Sequence, residues 1–299
     1  MKKFLGLLFI ASLIFLVGYL YRNNMLFIPQ LINPILFFIS LLLILIGFLL
    51  DTFAWRVIMK EELSAVTFTD AFVSSGKFIF SKYIPGKLWI ILGKAGYIQE
   101  KYNFSFVNLT SYAFYYQLIS LFAATMLGIG IVYKFNLLFF WILIVLAGLF
   151  ILLFVVFHKS LVSYLSRIFS SLFRKDISLP NLLPRTILKI FIISFTNWLI
   201  WSVAFYFFLY SAINEVDLQL SSGFLFPVSS VIGIVVVIAP GGLGVREGFL
   251  TLGLIGFGLS SKEAASISVS SRIWFLIGEL IFFISAIIIF IKNKYSIAD

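Results

Sequence analysis

The sequence predicts an all-α polytopic membrane protein: six full transmembrane helices plus two re-entrant helical hairpins arranged as an inverted repeat, about eight hydrophobic segments in all. Three observations predict it. Hydrophobic residues fill 62% of the 299 positions, charged residues only 11%, and mean hydropathy is +1.12, against roughly 45–50% and 25% in a soluble domain. Pro85-Gly86-Lys87-Leu88 and Pro240-Gly241-Gly242-Leu243 repeat one Pro-Gly-x-Leu signature, and each interrupts an apolar stretch. Lys and Arg gather on one side of the membrane once the segments are laid out.

Apolar runs long enough to cross about 30 Å of hydrocarbon cover residues 4–21, 35–54, 109–132, 137–157, 187–210 and 267–291. The first follows Lys2 and Lys3 in the manner of a signal peptide. Tyr19, Tyr21 and Arg22 stand where small cleavage-site residues belong, so it is read as a retained span. Two stretches differ in kind: 68–84 followed by 88–97, and 223–239 followed by 249–259. At 1.5 Å per residue their second limbs reach only roughly 15 Å, half the hydrocarbon core. Proline removes a backbone donor and glycine loosens the chain, and such breaks survive in lipid only where protein or a water-filled cavity satisfies the freed groups. The hairpins are therefore placed at 68–97 and 223–259.

With the N-terminus inside, the first hairpin opens to the cytoplasm and the second to the exterior. Of the 22 Lys and Arg, only Arg22, Lys134 and Lys262 then fall outside, and Arg246 and Arg272 lie at membrane depth. The rest are inside, as the positive-inside rule requires. Both termini are expected in the cytoplasm of a multi-pass protein of the cell membrane. The whole chain, 1–299, reads as one membrane domain, with half-repeats 1–135 and 136–299, each crossing three times. A connector at 158–186 joins them, and in it Leu161, Leu165, Ile168 and Leu172 share one face of an amphipathic helix.

The densest constellation is Pro240 to Gly248. Gly241, Gly242, Gly244 and Gly248 let the backbone approach a ligand closely. Val245 opens a helix whose first amides suit an anion. Arg246 adds a forked cation for phosphate or carboxylate, with Glu247 beside it. Ionisable groups at membrane depth are costly and tend to line pathways. In the first hairpin Lys77, Lys82, Lys87 and Lys94 flank Pro85-Gly86. Lys87 and Lys94, nearest the break, are assigned to headgroup contact, whereas Lys77 and Lys82 are expected to snorkel to the interface. Arg272 and Glu279 share a face of the last span but stand about 10 Å apart along the axis, so each is expected to meet a charge on another helix and to couple or gate. Asp51, beside Arg56, and His158 are read as interface residues. Tyr112, Tyr115, Tyr116, Trp198 and Trp201 are read largely as aromatic belt, with Gln117 and Asn197 deeper along a path.

Without cysteine and with His158 as the one histidine, no metal cluster, catalytic residue or cofactor is expected. The net charge of +10 reads as membrane orientation rather than nucleic-acid binding.

On Tyr83-Ile84-Pro85-Gly86-Lys87, the Pro240–Gly248 run and the region of Arg272, the chain resembles the lysylphosphatidylglycerol synthetase transmembrane, or flippase-like, family, as a membrane domain without the synthase domain that some members carry. One departure is that Leu88-Trp89 stand where many relatives place an acidic residue and an arginine, with Lys94 taking the basic place. The resemblance implies a transporter of phospholipids, aminoacylated ones included, or of polyprenyl-phosphate-linked intermediates; an enzyme is not expected, because no His, Cys or metal cluster and no paired carboxylates within the membrane support one. Its implied partners are membrane lipids and a separate lipid-modifying synthase or glycosyltransferase. The alternatives are a non-transporting membrane subunit of a lipid-modifying or glycan synthase, a carrier of small anions, and an intramembrane transferase.

Overall fold

The computed structural model describes residues 32–83, 89–135, 182–213, 218–235 and 244–295. Among them the chain is helical throughout, in eight α-helices: α1 (Pro34–Met59), α2 (Phe68–Lys77), α3 (Trp89–Tyr102), α4 (Phe106–Phe135), α5 (Pro184–Ala212), α6 (Leu225–Val235), α7 (Val245–Gly256) and α8 (Ser261–Tyr295). Short 3-10 turns, Ile79–Tyr83 and Leu220–Phe224, extend α2 and precede α6.

Local chemistry sets the helix starts. Asn33 caps α1 by accepting the Leu36 N–H at 3.2 Å, and Pro34 follows at a position whose amide needs no helical partner. Thr67 caps α2 through the Asp70 N–H at 3.1 Å. Before α7 the backbone turns at Gly244, whose φ of 80° lies in the region that favours glycine. Glu247 then reaches back to accept the Gly244 N–H at 2.8 Å.

Helices α1, α5 and α8 are long and apolar enough to cross a membrane. The outer face of α1 exposes Ile35, Phe38, Leu42, Ile46, Leu49 and Phe53, an apolar stripe at helical spacing that suits hydrocarbon and not water. The chain is a membrane protein. The expected segments 4–21 and 137–157 and residues 158–181 of the expected connector lie outside the described residues; the connector's last residues open α5, and the segment 109–132 falls within the 30-residue α4.

Lipid gives helices no hydrophobic reason to associate, so close packing and interhelical hydrogen bonds hold them. Tryptophans supply several of these bonds. Helices α1 and α5 run antiparallel: the Asn33 N–H donates to the Ser211 carbonyl at 3.2 Å at one end, Trp201 Nε1 donates to the Ile44 carbonyl at 3.1 Å, and Thr186 meets Glu61 at the other. Helix α8 runs parallel to α1, with Trp274 Nε1 donating to Ser40 Oγ at 2.8 Å and Phe282 stacked on Phe48 at 4.9 Å. Trp198 Nε1 ties α5 to Ser120 on α4 at 3.0 Å.

The shorter helices lie in two antiparallel pairs. Asp70, early in α2, meets Lys101 and Tyr102 at the end of α3. Leu225, opening α6, packs on Gly253 near the end of α7. The limbs pack across the bundle: α2 lies on α8 and α6 on α4, while α3 also contacts α4 and α7 contacts α8.

Candidate functional site

Between the two hairpins and α1, α4, α5 and α8 lies a cavity of about 260 Å³. Phe48, Trp198, Trp201, Phe226, Phe275 and Phe282 give it an aromatic wall, and among the described residues Lys82, Lys94, Arg246, Arg272, Asp51 and Glu279 bring charge to it. Cations outnumber carboxylates on this lining.

On one side, α7 and α8 assemble a charge cluster around Glu247. Its Oε2 is committed to the Gly244 amide. Its Oε1 accepts from Arg272 Nε at 2.8 Å and lies 2.8 Å from Arg272 Nη2. Arg246 reaches that same oxygen only at 3.5 Å, and Ser271 Oγ at 3.5 Å. These contacts are at the outer limit of hydrogen bonding. The Arg246 guanidinium otherwise lies 5.2 Å from the Phe226 ring, with its side chain only 10% exposed. Among the described residues it is a buried cation whose polar contacts are all long.

Across the cavity, the carboxylate of Glu279 is held at both oxygens. Lys82 pairs with Oε1, and Tyr83 Oη donates to Oε2 at 2.9 Å. Asp51 is held alike, by Lys94 at 3.4 Å on Oδ2 and by the Tyr116 hydroxyl on Oδ1. At the open end of the first hairpin, outside the spanning helices, the pattern recurs a third time: Asp70 receives Lys101 on Oδ1 and Tyr102 on Oδ2. Burial pushes the Asp70 carboxyl up, but hydrogen bonds from Lys101, Thr67 and Tyr102 outweigh it and hold the group below its ordinary value.

Of the residues singled out in the sequence, Arg246, Lys94, Arg272 and Glu279 line one cavity, and Glu247 stands directly behind it in contact with both arginines. Gly244 shapes the turn before α7. Pro85, Gly86, Lys87, Pro240, Gly241 and Gly242 lie outside the described residues.

Four placements differ from expectation. Asp51 is a cavity residue, not an interface neighbour of Arg56, which instead donates to the Val66 carbonyl at 3.2 Å. Lys82 does not snorkel; it pairs with Glu279. Trp198 and Trp201 are buried, hydrogen-bonded core residues. Gln117 lines the cavity, whereas Asn197 is buried away from its lining. Lys77 places its ammonium 3.9 Å from the Phe290 ring centroid, a cation–π contact with an aromatic ring of the last span.

A family model described as the lysylphosphatidylglycerol synthase TM region matches residues 3–282. No curated protein matches the chain in a sequence comparison.

Proposed function

The chain belongs to the lysylphosphatidylglycerol synthase transmembrane family, and on that premise we propose that it is a lipid flippase that binds an anionic headgroup in the central cavity and carries it between leaflets. The observation that carries this reading is Arg246. Its guanidinium faces a buried, cation-rich, aromatic-walled cavity, and its own carboxylate neighbour is already committed to Arg272 and Gly244. A phosphate there would complete the hydrogen bonding that the protein leaves long. Lys94 lines the same cavity from α3 to share the load, while the acyl or prenyl chains stay in lipid.

The packing supports a mechanism. Helices α1 and α5 are the second expected spans of the two half-repeats, and they lie antiparallel at the centre. Each hairpin's first limb rests on the other half's last span, α2 on α8 and α6 on α4. That exchange suits an inverted repeat in which one hairpin enters from each face, and rocking of such halves exposes a fixed site to one leaflet and then the other. We place the Glu61, Lys101 and Arg185 end in the cytoplasm and the Lys262 end outside, in the plasma membrane, on the positive-inside rule. The substrate class is a phospholipid, aminoacylated or not, or a polyprenyl-phosphate-linked intermediate. No bond is made or broken in this cycle.

Native mass spectrometry of the purified protein tests the site. Phosphate-headgroup lipid is expected to remain bound to the wild type and to be lost from Arg246→Gln. Equal retention by both would contradict the assignment.

A further inference from the structure

The Lys82–Glu279–Tyr83 cluster stands in the same cavity as Arg246, and its two ends differ in access. Lys82 is a third exposed (33%) and Glu279 fully buried (0%). The ammonium of Lys82 also sits 5.4 Å from the rings of Phe275 and Tyr83, at the aromatic wall. An anion entering the cavity therefore reaches Lys82 without moving Glu279, and competes with that carboxylate for its ammonium.

We infer that headgroup binding and protonation of Glu279 are coupled: an anion that takes Lys82 leaves Glu279 buried with only the Tyr83 hydroxyl, and the carboxylate takes up a proton. This rests on the headgroup site proposed above. The groups that face Glu279 make the exchange selective. From the turn after α2 come Lys82 and Tyr83, and from α7 come Arg246 and Glu247. On α8 itself Arg272 is tied to Glu247. Across the cavity the α1, α3 and α4 groups Asp51, Lys94 and Tyr116 are engaged with one another. Helices α5 and α6 offer only Trp198, Trp201, Phe226, Ser230, Gly233 and Ile234 to the lining. The bound anion takes over the positive charge of Lys82 and Arg246, and a fully buried carboxylate left ionised beside it is strongly disfavoured. The proton comes from water in the cavity and not from Lys82, because a neutral amine would no longer hold the anion. No covalent bond changes.

The coupling is reciprocal, so a headgroup that brings a proton onto Glu279 is bound more tightly when protons are abundant. Where the free carboxylate is ionised and the bound one protonated, affinity falls by up to about tenfold per pH unit. The test adds dihexanoyl phosphatidylglycerol, whose phosphodiester does not titrate near neutral pH, to purified protein in weakly buffered detergent, with a pH-indicator dye reporting protons and calorimetry reporting binding at several pH values.

The wild type is expected to take up about one proton per bound lipid. Glu279→Gln is expected to bind without proton uptake and with flat pH dependence. Lys82→Gln, whose Glu279 lacks its ammonium partner from the outset, is expected to show no binding-linked uptake either, and it stands in if Glu279→Gln fails to fold. Binding by the wild type without proton uptake, or uptake that persists in the variants, would overturn the coupling while leaving the headgroup site standing. Failure of the wild type to bind the lipid at all would overturn both.

Discussion

Arg272 grips Glu247 with two nitrogens, Nε and Nη2, each 2.8 Å from the same carboxylate oxygen, while Arg246, next to Glu247 in sequence, reaches that oxygen only at 3.5 Å. The two arginines thus divide structure from function. Arg272→Gln leaves a buried carboxylate without its main partner and is expected to lower stability by about 3 kcal/mol. Arg246→Gln removes only long contacts and is expected to lower it by about 1 kcal/mol. Thermal unfolding of the purified variants distinguishes them, and equal losses would contradict the division.

Gly47 lets α1 approach α5. A Cβ there would lie 2.0 Å from Trp201 Nε1, in the helix crossing that the Trp201–Ile44 hydrogen bond closes. Gly47→Ala must push the indole or the helix aside, and overpacking of this kind costs about 1–3 kcal/mol. The expected readout is a lowered melting temperature together with greater accessibility of Trp201 to a quencher.

The limits of the sequence reading show at the same helices. Charge spacing was enough to seek partners for Arg272 and Glu279 on other elements, and Glu247 is one of them. Val245 opens its helix where the glycine run ends, as the sequence suggests. Asp51 was not legible as a cavity residue because the apolar run stops at Ala54, which makes Asp51 look terminal. Helix α1 continues past Arg56, the charge at which the apolar run breaks off, to Met59, so Asp51 lies two turns inside. Lys82 departs from its expected place for a related reason. A lysine near an apolar segment snorkels by default, and only the distant Glu279, brought over from α8, gives it a partner within the bundle. Such pairings depend on tertiary contacts between residues far apart in the chain, which spacing does not encode.

The Asp70 cluster predicts acid sensitivity confined to the open end of the first hairpin. Because its carboxyl is held below the ordinary value, its contribution is fully present above the unfolded pKa of about 4 and is lost as pH falls through the lower folded value. Amide exchange in α2 and α3, corrected for its intrinsic pH dependence, is expected to be flat from neutral pH down to about 4 and to rise below it. Asp70→Asn is expected to show raised exchange at all pH values. A hairpin whose exchange does not respond to acid would refute the assignment.

The chain has no cysteine, so any introduced thiol is the only one and topology can be read directly. Ser260→Cys and Lys262→Cys are expected to react with a membrane-impermeant maleimide on intact cells. Glu61→Cys and Lys101→Cys are expected to react only after the membrane is opened. The opposite pattern would invert the orientation, and labelling of Ser260→Cys and Lys101→Cys from one side would remove the two-sided hairpin arrangement.

Transbilayer lipid movement in proteoliposomes tests the central claim most directly. Purified protein is reconstituted with fluorescent lipids bearing anionic, zwitterionic, aminoacylated or polyprenyl-phosphate headgroups, and dithionite quenching reports the fraction reaching the outer leaflet. The wild type is expected to accelerate movement of at least one phosphate-bearing class, and Arg246→Gln, folded by the unfolding criterion above, to return it to the protein-free rate. No acceleration across the whole panel, or an Arg246→Gln variant as fast as the wild type, would contradict the account.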